Sequence, residues 1–163
     1  MKNILNKVFK GATEKNKESP DSNELYERTW SISIETNNEK LVINYDDYEH
    51  YCNAVLIKTD NEEEEIAKEL GYKVIRIPYW IQLDSITVKH YFGVESDIKT
   101  ECLHGFGNTS VFPASFCEKG IERFSQELKM LPGEIKYEII MSLREKIKEH
   151  GTEYVIPKSL KII

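Results

Sequence analysis

The chain has few cysteines. Only Cys52, Cys102 and Cys117 occur among 163 residues, and no two are spaced Cys-x-x-Cys. That excludes a disulfide scaffold and a cysteine-built zinc site, and leaves free thiols in a reducing cytoplasm as the plain expectation. Long apolar runs are also missing. None approaches the roughly 20 residues that cross a bilayer, so no membrane partner is expected. Lys2, Lys7 and Lys10 flank a short apolar patch that lacks the long core and cleavage site of a secretory leader. A basic excess is absent as well: 22 Lys and Arg stand against 28 Asp and Glu, for a net charge of −6 and a pI near 5.3. This argues against a constitutive nucleic-acid binder, whose affinity rests on neutralising phosphates. There is no internal repeat, and no motif for a small-molecule cofactor.

What is present suits one globular α/β domain with a real core: 40% hydrophobic and 31% charged residues over a length that buries a sizeable interior. The acid excess is uneven. Residues 1–83 hold 11 basic and 16 acidic side chains, and residues 84–163 hold 11 and 12. The expected organisation is an N-terminal helix and linker (1–23), an α/β core (24–100) and a C-terminal helical extension packed on it (101–163). Ile4, Leu5, Val8 and Phe9 share one helical face. Residues 11–23 are polar, contain Pro20 and have little to bury, so they read as a linker. Residues 24–28 read as a helical turn.

Residues 30–83 carry most of the pattern. Trp30, Ile32 and Ile34 alternate with Ser31, Ser33 and Glu35, which predicts a strand. Leu41, Val42 and Ile43 predict a second strand over 40–45, and the polar turn between makes the two a hairpin. Asp46 and Asp47 follow, then a polar loop. Residues 62–70 predict a short helix whose acidic first turn suits the helix dipole and whose end is capped by Gly71. Val74, Ile75 and Ile77 alternate with Lys73 and Arg76 in a third long strand, Lys73–Pro78. The strand, helix, strand order implies a crossover and at least one parallel pair. Beyond it, Asp84 or Ser85 is placed to cap a helix through Phe92, with Gly93 ending it. Residues 94–112 read as a loop, with His104 in it as a turn histidine. Helices are predicted over 113–130, with Pro113 in the first turn, and over 134–150, with Gly151 beyond it; together they form a helical hairpin. Residues 155–157 read as an extended tail. Cys117 lies on an apolar helix face. The charges of the last two helices alternate in sign and read as a solvated, ion-paired surface.

The run Leu41-Val42-Ile43, Asp46, His50, Asp60 and Gly71-Tyr72-Lys73-Val74-Ile75-Arg76-Ile77-Pro78-Tyr79-Trp80 resembles the core of the restriction-endonuclease-like superfamily, nearest the very-short-patch-repair-like nucleases and the related RAP domains. The resemblance covers about a third of the chain. It implies a small mixed sheet of about four strands flanked by helices. It implies a Mg²⁺-dependent DNA endonuclease, from a mobile or defence element, with Glu35 and Asp46 as metal ligands and His50 in acid–base or water-orienting work. Asp60 and Glu64 would support that set, from the loop and from the helix. Two positions depart from the pattern: Asn44 stands where active relatives usually have Glu, and Asp47 where they have Gly. No lysine follows Asp46 at two residues' distance, which sets the chain apart from the classical nuclease arrangement.

Phosphodiester hydrolysis of this kind needs carboxylates that converge on a divalent ion. Glu35 and Asp46, on adjacent strands, are the candidates. The bland alternatives are a solvated turn at Asp46-Asp47, a water-facing Glu35 and a packed surface His50. Arg76, Tyr79 and Trp80 are the candidate nucleic-acid contacts, against an aromatic pair that seals a buried strand. The alternative function is a decayed domain of the same fold that binds nucleic acid or a protein partner, as the amide at Asn44 and the net negative charge allow.

Overall fold

A computed structural model describes residues 13–15, 30–35, 40–100, 102–107 and 109–160, with side chains from residue 40 onward. The expected helix over 2–10 and the turn over 24–28 lie outside these residues. The protein is a mixed α/β chain that forms two compact units, residues 1–47 with 58–79 and residues 48–57 with 80–163. Residues 80–100, assigned from sequence to the α/β core, thus group with the C-terminal helices.

The first unit is built on a four-stranded sheet: β1 (Thr13–Lys15), β2 (Trp30–Glu35), β3 (Lys40–Asp46) and β4 (Lys73–Pro78), side by side in that order. Thr13–Lys15 of the stretch read as a linker is a strand, and the rest of 11–23 lies outside the described residues. β1–β2 and β2–β3 are antiparallel, and β3–β4 is the expected parallel pair. The hairpin register sets Glu35 opposite Lys40, Ile32 opposite Ile43 and Trp30 opposite Tyr45. The parallel register sets Asn44 beside Arg76 and Asp46 beside Pro78. Because side chains alternate along a strand, Asn44, Asp46 and Arg76 share one face while Ile43, Ile75 and Ile77 bury themselves on the other.

The crossover from β3 to β4 is largely helical, which overturns the expected polar loop. A short α1 (Glu49–Cys52) follows the sheet, and α2 (Ala54–Glu69) then runs to the turn before β4. Asn53 starts α2 by accepting the Val55 and Leu56 N–H groups on its side-chain oxygen at 3.0 and 3.3 Å. At its other end Gly71 takes φ of 81°, and its N–H closes on the Lys68 carbonyl at 2.9 Å.

The second unit is helical. α3 (Ser85–Phe92) is bounded as its sequence predicts. Asp84 Oδ1 accepts the Ile86 and Thr87 N–H groups, the Thr87 hydroxyl takes the Asp84 N–H in return, and Gly93 ends the helix at φ of 69°. Pro113 opens only a 3-10 turn (Pro113–Ser115), and α4 begins after a break, at Glu118, and runs to Met130. α5 (Gly133–His150) follows. A last turn, α6 (Thr152–Val155), takes in Val155 of the expected extended tail, and Ile156 beyond it is extended. The core of this unit is aromatic: Phe124 lies 5.2 Å from Trp80, 6.0 Å from Phe106 and 5.9 Å from Phe116 between ring centroids. Ile135, Ile139 and Leu143 give α5 its buried stripe.

Candidate metal centre

Asp46 is the last residue of β3 and lies beside the last residue of β4. It therefore stands at the carboxyl edge of the parallel pair, where α/β sheets place their ligands. Its side chain is 1% exposed. Asp60 belongs to α2, not to a loop, and is 4% exposed. With Glu64 and Ala67 it forms a stripe spaced four and seven residues along the helix. Helical stripes at this spacing are normally apolar where they are buried. Here the stripe is charged because it meets Arg76 of β4.

Arg76 joins strand and helix. Its Nη1 lies 2.8 Å from Asp46 Oδ1 and 3.3 Å from Asp60 Oδ1, its Nη2 donates to the Asp60 carbonyl at 3.1 Å, and its Nε reaches Glu64 Oε2 at 3.4 Å. At 12% exposure the guanidinium is nearly enclosed, so each bond is worth more than its surface equivalent, and losing one partner would strand a buried charge. Glu64 also pairs with Lys68 at 3.0 Å, farther out on the helix. The hydrogen bonds to Glu64 and Glu65 raise the Lys68 ammonium above its ordinary value.

His50, on α1, is 2% exposed. Its own segment is tightly held. The His50 carbonyl accepts from Arg123 Nη1 at 3.3 Å, the Tyr51 carbonyl accepts the Cys117 N–H at 3.1 Å, and the Tyr51 hydroxyl donates to Glu127 Oε2 at 2.6 Å. Arg123 also lies over the Tyr51 ring, 5.1 Å from its centroid. Asp46, His50 and Asp60 each offer one ligand atom, all within 4.8 Å of one another. This buried group is able to hold a metal ion, and it brings together two residues from the sequence expectation and a third that was given only a supporting role.

Glu35 is not brought there. Its register with Lys40 puts it at the turn end of the hairpin, six residues along β3 from Asp46, or about 20 Å at some 3.3 Å per residue. The expectation that Glu35 and Asp46 converge as ligands is corrected by the hairpin itself: an antiparallel pair closed after residue 35 carries residue 46 to the opposite end. The nucleic-acid contacts need correction too. Trp80 is 0% exposed, packed edge-on to Phe124, and offers no face to a base. Arg76 spends its donors on Asp46, Asp60 and Glu64. Tyr79 is half-buried, and its carbonyl accepts from the Tyr45 hydroxyl at 3.3 Å. Burial, with Asp47 adding to it, pushes the Tyr45 phenol above its ordinary value.

His104 is structural, as its sequence setting suggested. Its Nδ1 accepts the Gln82 N–H at 3.1 Å, so the ring proton is on Nε2, which donates to Asp84 Oδ2 at 3.2 Å. With both nitrogens engaged it has none left to act as a base. Next to it, Gly105 at φ of 123° passes so close to Ser142 that a Cβ would stand 2.4 Å from the serine Cβ. That approach lets the Ser142 hydroxyl take the Phe106 N–H at 2.9 Å.

No family model matches the chain, and neither a curated protein nor a solved structure matches it.

Proposed function

We propose that this protein is a divalent-metal-dependent phosphodiesterase acting on DNA, with Asp46 and Asp60 as carboxylate ligands and His50 beside them as a third ligand or as the group that orients a water. The observation that carries the reading is the buried Asp46, His50 and Asp60 group at the carboxyl edge of the parallel strands. The donor set suits a divalent ion. Two carboxylates suit Mg²⁺, whereas an imidazole directly on the metal favours Mn²⁺ or Zn²⁺, so Mg²⁺ requires His50 to act through a water. An ion held there would neutralise charge on the scissile phosphate and lower the pKa of a water. The chain supplies the rest. Asp46 and Asp60 are fixed in position by Arg76, and burial strengthens each electrostatic contact. His50 is fixed through its backbone by Arg123, and its imidazole is the group of the three suited to acid–base work.

The test is calorimetric titration of Mg²⁺ and Mn²⁺ into the full chain and into Asp46→Asn, with a plasmid-nicking assay alongside. Binding and nicking lost together in the variant support the reading. A wild-type chain that takes up neither ion and leaves the plasmid intact refutes it.

A second reading, a non-catalytic domain that binds a protein, has its own observation. Ile66 and Leu70 stand exposed on and just past α2, among the exposed Glu62, Glu63, Glu65 and Glu69. An apolar pair in an acidic surface suits a basic partner with an apolar anchor. Among the described residues no helix is long and apolar enough to cross a membrane.

A further inference from the structure

Resting on the metal reading above, we propose that Arg76 is the resident counter-cation of the Asp46 and Asp60 pair, and that a divalent ion binds there by exchange with its guanidinium. The geometry is that of a shared cation. One nitrogen, Nη1, lies at ion-pair distance from both carboxylates, 2.8 Å from Asp46 Oδ1 and 3.3 Å from Asp60 Oδ1. A metal using the same two side chains would need the same space.

An ion on these oxygens requires Nη1 to leave, because a guanidinium and a dication on the same two oxygens repel at short range. Arg76 has a place to go. Its Nε already reaches Glu64 Oε2 at 3.4 Å, and the Glu64 side chain is the most exposed of the three acids, at 28%. Rotation toward Glu64 would keep the arginine charge-paired while clearing the two aspartates. The exchange replaces a single positive charge with a double one, so the pair is never left uncompensated in the interior, where an unpaired charge is most costly. Metal affinity in this arrangement is set by the difference between two cations at one position. The bare attraction of the carboxylates does not set it alone, so Arg76 acts as a positioning residue that tunes occupancy without touching the substrate.

The experiment is calorimetric titration of Mn²⁺ into the full-length wild type, Arg76→Met, Arg76→Lys and Asp46→Asn, with thermal melts of each in the presence and absence of Mn²⁺. Exchange predicts that Arg76→Met binds Mn²⁺ on the order of tenfold more tightly than wild type, since a competing charge within a few ångströms is gone. It also predicts that Mn²⁺ raises the melting temperature of Arg76→Met more than that of the wild type. Arg76→Lys keeps a charge but loses the fork, and should fall between the two. If Arg76→Met does not fold without metal, the Lys variant carries the comparison, and binding equal to or weaker than wild type in it overturns the proposal. Equal or weaker binding in a folded Arg76→Met, with wild-type binding abolished in Asp46→Asn, overturns exchange and leaves the metal centre standing. Failure of both the wild type and Arg76→Met to bind removes the metal centre and the proposal together.

Discussion

Gly120 is the position at which a single methyl group tests the packing that holds the His50 segment. It lies in the first turn of α4 and is buried. A Cβ there would stand 1.8 Å from the Tyr51 carbonyl oxygen, 2.7 Å from its carbon and 2.9 Å from its Cα. All three are backbone atoms, so no rotamer change relieves the overlap. In an open helix, Gly→Ala stabilises by about 1 kcal/mol. Here α4 must retreat from α1 by more than an ångström. Overpacking of this kind costs roughly 1–3 kcal/mol. The retreat also lengthens the Cys117 N–H bond to the Tyr51 carbonyl and the Tyr51 hydroxyl bond to Glu127, which are worth about 1 and about 1.5–3 kcal/mol when intact. With the two bonds lengthened and so losing about half their worth, and the helix gain set against the losses, Gly120→Ala is destabilised by about 2–4 kcal/mol. At some 2–4 °C per kcal/mol for a chain of this size, the melting temperature should fall by about 5–15 °C. Urea and thermal melts followed by tryptophan fluorescence measure this. Gly133→Ala is the control, because nothing lies within 4 Å of its Cβ position, and it should be neutral or slightly stabilising. A Gly120→Ala chain that melts at or above wild type would refute the close approach of α4 to Tyr51.

Asp84→Ala removes the N-cap of α3 and should destabilise by about 1 kcal/mol at neutral pH. Burial alone would raise the Asp84 carboxyl, but the Thr87 backbone and hydroxyl bonds and His104 outweigh it and hold the group below its ordinary value. Its contribution is thus complete above the unfolded pKa and is lost as the pH falls through the folded one, so urea melts of wild type and variant should converge below about pH 4. Glu35→Gln should leave Mn²⁺ binding unchanged in the same calorimetric titration that Asp46→Asn abolishes, because the hairpin register keeps residue 35 at the far end of β3.

Most element boundaries were legible where a local rule acts. The hairpin followed from period-two alternation on either side of a polar turn, and β4 from alternation that ends at Pro78. Asp84 and Gly93 bound α3 because a cap needs only its own neighbours. The start of α2 was not legible, and the reason lies in its inward stripe. Asp60 and Glu64 occupy positions that periodicity expects to be apolar, while Val55 and Ile66 point outward at 73% and 56% exposure. A helix that packs by charge gives no apolar period to read. Arg76 was misread for a related reason. On an alternating strand beside Tyr79 and Trp80 it read as a candidate nucleic-acid contact, and its partners lie 30 residues away at Asp46 and 16 away at Asp60, beyond any local pattern. The placement of Glu35 was a failure of inference, since the expected turn already separated it from Asp46.

The charged stripe also bears on what the site is for. Enclosing two carboxylates and a guanidinium is a poor route to stability, because desolvation roughly cancels their attraction, and apolar residues of the same volume commonly do as well or better. The first unit has apolar material for that purpose, in Ile43, Ile75 and Ile77 on the other face of the sheet. Holding the ionic group in place also constrains other elements, since Arg76 ties the carboxyl end of β3 to the middle of α2 through four separate bonds. A purely structural ion pair would be equally useful anywhere along the strand. This one stands at the carboxyl edge of the parallel pair, with a His50 ring nitrogen within 4.8 Å of both carboxylates. Location at the edge where such sheets hold ligands is what a binding centre requires and what a strut does not.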